Sequence, residues 1–238
     1  MEKLYCYCIF QQNDLNERVN IKNKCFISHE DIVLLCESMK SNINATKEGI
    51  LKHDKVIRDV FKQRDVIPIS YGMVTESREQ AEKFLMKNYS AILKLFQKVE
   101  NKIEVSLKLT WKEEGFSKDI EDKEIVAFKK QLANKKKITE QDKIELGKMV
   151  EERVNDLRQK YADEITNRLK DYTNDFLISE GITPRMALNA SFLVDKANEK
   201  KFDEAINELY QKYIDIFNFK YIGPLPPYSF INEKFEID

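Results

Sequence analysis

Two histidines, four cysteines and several carboxylate pairs are the side chains of this 238-residue chain best suited by type to catalysis or metal binding. His29 and His53 stand in no H-x-x-x-H or H-E-x-x-H setting, the spacing that puts two imidazoles on one helix face around zinc. Cys6 and Cys8 are two apart, which in a regular strand directs both thiols to one face. With Cys25 and Cys36 they make a zinc set conceivable, but the C-x-C spacing has no knuckle, and reduced, buried small side chains are the favoured reading. Glu113-Glu114, Glu151-Glu152 and Asp119 with Glu121 lie in charged stretches, where solvated faces outnumber acid/base pairs. The six glycines form no G-x-G-x-x-G or Walker loop, and no serine sits in a G-x-S-x-G elbow. The chain is thus expected to be no enzyme, with no catalytic constellation, no cofactor and no metal.

What the chain does concentrate is proline. Three of its five prolines fall in Gly223-Pro224-Leu225-Pro226-Pro227-Tyr228-Ser229-Phe230. Each fixes φ, removes an N–H and pushes the preceding residue out of the helical region, so the octet is expected to be extended. Two physical roles fit: a strap that plugs Tyr228 and Phe230 into a core, or a PxxP peptide, through Pro224 and Pro227, read by an aromatic groove. The strap is the favoured one.

Composition narrows the partners. Forty basic against forty-one acidic residues leave a net charge of −1, so bulk charge drives binding to neither nucleic acid nor an anionic bilayer. No segment approaches a membrane span. Apolar residues make up 42% of the chain, enough for real cores.

Helices and strands must hold these residues in place. Residues 4–10 read as a first strand and 32–36 as a buried apolar segment. A helix over roughly 45–63 puts His53 on the face of Ile50, Ile57, Val60 and Phe61, where a satisfied core histidine is favoured over a base. Val66–Met73 reads as a strand whose Pro68 argues for an edge. Ser77-Arg78-Glu79-Gln80 opens a helix with the buried stripe Ala81, Phe84, Leu85, Tyr89, Ile92, Leu95 and Phe96. Ile103, Val105, Leu107, Leu109 and Trp111 alternate with polar residues, the pattern of a half-buried strand. Residues 112–138 read as a variable, lysine-rich connection. Thr139 and Asp142 start a long amphipathic helix expected to reach Phe176, whose stripe packs on its own sheet or, as a coiled coil, on a partner. Met186–Val194, a helix from Glu199 to Phe217, and Phe219–Ile222 complete the order. Strands separated by helices, without a run of buried parallel strands, predict two α+β units with a boundary near residue 98, the second of split βαβ or ferredoxin-like type.

Five blocks in order carry a resemblance. The octet is similar to the Gly-Pro-Trp-Pro-Pro-Tyr-Ser-Phe signature of the gas vesicle protein L and F family. Val66-Ile67-Pro68-Ile69-Ser70-Tyr71-Gly72 resembles its Val-Leu-Pro-Val-Arg-Phe-Gly segment, and His53-Asp54-Lys55-Val56 its His-x-x-Val. Ile103–Leu109 is similar to its Glu-x-x-Val-Lys strand, and Asn189-Ala190-Ser191-Phe192-Leu193-Val194 to its Asn-x-Ala-Phe-Leu-Val strand. Ser70 replaces the usual arginine and Leu225 the usual tryptophan, so roles of those side chains do not carry over. The resemblance implies two α+β domains, 1–98 and 99–238, the second a modified ferredoxin-like fold with a long helix and a closing proline-rich segment. It further implies an accessory or minor structural protein, cytoplasmic and at the gas vesicle, a buoyancy organelle whose wall subunit is small and very hydrophobic. Its partners would be that major wall protein and other accessory proteins, with Pro68, Tyr71, Gly72, Phe192, Gly223, Pro224, Pro226, Pro227, Tyr228 and Phe230 as motif or interaction residues. The alternative is a ferredoxin-like ligand-binding regulator or enzyme with a pocket at His53.

Overall fold

The structure, a computed structural model, describes residues 2–12, 19–39, 45–233 and 235. Its contacts divide the chain into one unit of Met1–Glu104 with Gly223–Asp238 and another of Val105–Ile222. The closing segment, which the sequence reading places in a domain of residues 99–238, groups here with the amino-terminal residues.

In the first unit, β1 (Leu4–Gln11), β2 (Cys25–His29) and β3 (Ile32–Ser38) precede α1 (Lys47–Phe61), β4 (Val66–Pro68), β5 (Val74–Thr75) and α2 (Arg78–Val99). The sheet order is β2-β3-β1-β4, with β5 also paired to β1. Thr46 caps α1 by accepting the Gly49 N–H at 3.1 Å, and Ser77 caps α2 by accepting that of Gln80 at 3.2 Å. Ile50, expected on the buried face of α1, is 48% exposed, whereas His53, Ile57 and Val60 are buried. The expected strand over 66–73 stops at Pro68 because a turn follows, closed by the Met73 N–H on the Ser70 carbonyl at 3.3 Å.

A bulge in β1 decides which way its side chains face. Cys6 is paired with Cys36, yet Cys8 is paired with Leu35, so Tyr7 is an extra residue. Leu4, Cys6 and Ile9 therefore pack into one core cluster, and Tyr5, Tyr7, Cys8 and Phe10 into another. The expectation that Cys6 and Cys8 share a face is overturned, since period-two counting fails across the inserted residue.

The second unit runs β6 (Lys102–Trp111, which begins in the first), α3 (Glu113–Ile120), α4 (Lys123–Ala133), α5 (Glu140–Leu169), β7 (Asp175–Ile178), β8 (Met186–Asp195), α6 (Glu199–Tyr213) and β9 (Phe217–Leu225). Its sheet order is β7-β8-β6-β9. The stretch read as a variable connection contains two helices. Asp122 caps α4 by accepting the Ile125 N–H at 2.8 Å, and Ile125 and Leu132 are buried. Trp111 and Tyr161 both donate to Asp119, at 3.1 and 2.7 Å, which ties α3 to β6 and α5.

The long helix ends at Leu169, seven residues before the expected Phe176. Thr173 Oγ1 reaches the carbonyls of Asp175 and Leu193, each at 2.8 Å, and the chain turns into β7 beside β8. Phe217 likewise opens β9 rather than closing α6. The α5 stripe is spent inside its own unit: Val154, Leu157, Tyr161, Ile165 and Leu169 are buried where α5 meets β8, α4 and α6. A coiled-coil partner is not what that stripe serves. Leu157→Ala is accordingly expected to cost about 2–5 kcal/mol in chemical denaturation, with an unchanged elution volume in size-exclusion chromatography.

Candidate functional site

Most motif residues meet in the first unit around His53. The Ile69 carbonyl can only accept, so His53 Nε2–H donates to it at 2.9 Å, and Nδ1 accepts from the Tyr5 hydroxyl at 2.7 Å. Both ring nitrogens are used, which leaves His53 neither a metal lone pair nor a free base. Burial lowers its pKa, opposed by the Ile69 carbonyl and the nearby Asp54 charge. Burial raises the Tyr5 phenol to about 12, so it stays a donor. Tyr7 stacks on the His53 ring, and Tyr71 meets the ring edges of Tyr5 and His53 at centroid distances of 6.0 and 5.6 Å. Gly72, at φ +93°, takes the third position of the 70–73 turn, a conformation that favours glycine, and its N–H points to the Tyr5 oxygen at 3.4 Å. Pro68 ends β4 opposite Cys8.

The octet closes over the same unit. Its first part, Gly223-Pro224-Leu225, is the end of β9, but Tyr228–Phe230 form a short 3-10 turn rather than an extended strand. The Phe230 N–H on the Pro227 carbonyl, at 3.2 Å, closes that turn. Pro226, Pro227 and Phe230 are buried. Tyr228 donates to Asp54 Oδ1 at 2.7 Å, while Arg58 holds the other oxygen, also at 2.7 Å. Burial, then the Asp54 carboxylate, raises the Tyr228 phenol. Ser229 gives its N–H and its hydroxyl to Glu104, at 2.7 and 2.6 Å. Glu104 is 3% exposed, although strand alternation puts it with the solvated residues. Its signal was its place in a motif block, opposite a serine flanked by aromatics. Phe192 lies apart from this group, buried on β8 between Phe176 and Phe202.

Sequence reasoning also missed Glu37. It receives Tyr7 Oη at 2.5 Å and Lys24 Nζ at 2.7 Å, with Lys24 seated over the Tyr7 ring. Burial pushes this carboxyl up, but the bonds from Lys24 and Tyr7 and the Lys24 charge outweigh it and hold it at about 2.

The open surface lies in the second unit. β7 is a terminal strand of its sheet, and Phe176, Ile178 and, just beyond it, Ile182 are 39, 50 and 72% exposed. Beside it a cleft of about 490 Å³ is bordered by Ile178, Gly181, Met186 and Leu188, and a neighbouring one of about 480 Å³ by Val150, Val154, Ile182 and Pro184. Arg158 stands between them, donating to the carbonyls of Met186 at 3.1 Å and Pro184 at 2.8 Å. Among the described residues no group of three or more His, Cys, Asp or Glu is placed to hold a metal ion, and no helix is long and apolar enough to cross a membrane.

Two outcomes test the His53 and Tyr228 contacts. Unfolded His53 takes a proton near 6.5 and the folded ring only at lower pH, so stability is full above that value and falls as pH drops through it. Melting midpoints should decline from pH 7 to 5, and an NMR titration should place the ring below 6.5. Tyr228→Phe should cost about 1–2 kcal/mol in denaturant melts, because it removes one bond to a half-buried carboxylate.

Comparison with known proteins agrees with this architecture. The family described as gas vesicle synthesis protein GvpL/GvpF matches residues 3–232. Gas vesicle protein F of Dolichospermum flosaquae is 24% identical over 237 residues, spanning 95% of this chain and 96% of its own length. Gas vesicle protein F1 of Halobacterium salinarum is 22% identical over 97% of this chain and 93% of its own. Among solved structures, gas vesicle protein GvpF from an Anabaena species superposes with a TM-score of 0.85 at 19% identity, over 98% of this chain and all of that one. GvpF from Microcystis aeruginosa does so with a TM-score of 0.79 at 20% identity, over 96 and 98%. With a family match across nearly its whole length and relatives named for the same organelle, the chain belongs to the GvpL/GvpF gas vesicle proteins and has a gas vesicle-associated role.

Proposed function

We propose that this protein is a non-enzymatic accessory or minor structural protein, cytoplasmic and at the vesicle, that binds the hydrophobic wall subunit along β7 and helps nucleate assembly. The observation that carries the reading is a terminal strand, beyond which no further strand pairs among the described residues, dressed with exposed Phe176, Ile178 and Ile182. An edge offers a row of unpaired N–H and C=O groups to an added strand, and apolar neighbours give that strand somewhere to bury its side chains. The other edges fit worse. β4 and β9 carry Pro68 and Pro224, which remove ladder donors, and β2 presents Phe26 as its one exposed large hydrophobic residue.

The octet takes a different part in this reading. Pro226, Pro227 and Phe230 are buried and Tyr228 is bonded to Asp54, so they serve as a strap that completes the first unit. Contact with the wall subunit is assigned to β7 instead. The second unit is read as ferredoxin-like, supported by helices α3–α5 between β6 and β7, α6 between β8 and β9, and the strand sequence β7-β8-β6-β9. A ligand pocket at His53 gains no support, since that ring is occupied on both sides.

The test is capture of co-expressed wall subunit by purified protein. Ile178→Lys with Ile182→Lys should weaken capture about tenfold or more while leaving the melting midpoint unchanged, since each buried isoleucine is worth about 1.5–3 kcal/mol. Tyr228→Phe should capture at the wild-type level. Full capture by the double lysine variant would sink the β7 assignment, and no capture by wild type would sink the wall subunit as partner.

A further inference from the structure

On the face of the first sheet opposite His53, three cysteines stand side by side across three paired strands. Cys36 of β3 is in register with Cys6 of β1 on one side and with Cys25 of β2 on the other. Residues directly opposite in an antiparallel pair share a face, with Cα atoms about 4.5–5.5 Å apart, inside the roughly 4.4–6.8 Å that a disulfide spans. Cys6 and Cys36 belong to the core cluster between this face and α2, with Cys25 packed against it. All of them are free thiols.

The two pairs differ in kind. The Cys6 N–H points away from β3, to the Met73 carbonyl at 3.0 Å, so Cys6 and Cys36 form the closer, non-hydrogen-bonded type of pair. The peptide groups of Cys36 then face β2, and Cys25 with Cys36 is the wider, hydrogen-bonded type. Exposure differs as well: Cys6 and Cys36 are 1 and 0% exposed, while Cys25 is partly open to solvent. Cys8 takes no part, because the β1 bulge turns it to the other face.

We propose that this ladder is a site oxidised by hydrogen peroxide, with Cys25 as the entry thiol and Cys36 as the central partner. The Cys25 sulfur attacks a peroxide oxygen and breaks the O–O bond, giving a sulfenic acid and one water. Cys36 displaces the sulfenic hydroxyl as a second water, forming the Cys25–Cys36 bond. Two thiols are oxidised by two electrons, and hydrogen peroxide is reduced to two waters. Cys6 then attacks the Cys36 sulfur, frees Cys25 as a thiol and moves the bond to the closer pair. β2 ends the sheet and pairs there with β3, so the first bond fastens an edge strand and the second ties the central strand to its neighbour.

The experiment exposes the reduced full-length chain to hydrogen peroxide and follows thiols, peptides and melting. Thiol titration after denaturation should fall from four to two, and dithiothreitol should restore all four. In non-reducing tryptic maps, Cys25 and Cys36 share the peptide 25–40, which loses two hydrogens when bridged. A Cys6–Cys36 bond instead joins peptide 4–18 to peptide 25–40, and Cys8→Ser removes the ambiguity within the former without lowering the yield. Cys36→Ser and Cys36→Ala should lose both bridges and leave Cys25 as a sulfenic acid trapped by dimedone, with circular dichroism confirming that each variant folds. Cys25→Ser should keep its remaining thiols over the same exposure. The proposal is overturned if four thiols persist in wild type under peroxide that oxidises glutathione in the same tube. It is equally overturned if bridges form at wild-type yield without Cys36 or without Cys25.

Discussion

One inserted residue in β1 governs the first unit. β1 is bonded to β3, β4 and β5, so any change in its facing is transmitted through the sheet. Without the bulge, strict alternation would aim Tyr7 and Cys8 at opposite faces. With it, Cys8 and Phe10 join Tyr5 and Tyr7 on the side of α1, where the two tyrosine rings enclose His53 and hold the 70–73 turn in place. The same insertion leaves Cys6 alone on the other side, facing Cys36. The register shift thus sorts Cys8 and Phe10 with the polar aromatic cluster and leaves Cys6 as the β1 thiol of the ladder.

The chain's last described segment depends on that cluster. Tyr228 packs beside the residues around His53 and is bonded to Asp54, the next residue of α1. Ser229 satisfies Glu104, a carboxylate whose burial would be costly without such donors. Lys98 sits over the Phe230 ring at 5.6 Å, and Phe235 meets Phe84. These contacts explain why short blocks far apart in sequence belong together: they are the two ends of one set of hydrogen bonds. Their residue types follow from satisfying buried polar groups, and no chemistry on a substrate is needed to account for them.

What could be read from the sequence follows the range of the forces involved. Helix starts were legible because capping is local: Thr46, Ser77 and Thr139 each accept an N–H three residues on. The β6 alternation was legible too, as Ile103 through Trp111 show. Helix ends were not. Phe176 continues the 3.6-residue stripe of α5, yet pairing with Phe192 on β8 wins, and a one-dimensional pattern contains no term for that partner. The bulge was invisible for the same reason, since Cys6 and Cys8 keep their spacing whether or not Tyr7 is counted twice. Glu104 was misplaced and Glu37 missed because burial of a carboxylate is decided by donors distant in sequence, Ser229 in one case and Lys24 with Tyr7 in the other.

Edge chemistry connects these local facts to function. A sheet edge is a standing invitation to another strand, and proline is one of the few residues that withdraws it without charge. Pro68 and Pro224 close two edges, and both fall in blocks shared with the family signature. β7 has no proline, keeps apolar side chains outward and lies next to clefts rather than under a helix. Leaving such an edge open carries an aggregation risk that proline reduces at β4 and β9. That contrast is the physical ground for proposing β7 as the docking edge for a hydrophobic subunit, and for reading the proline octet as a closure.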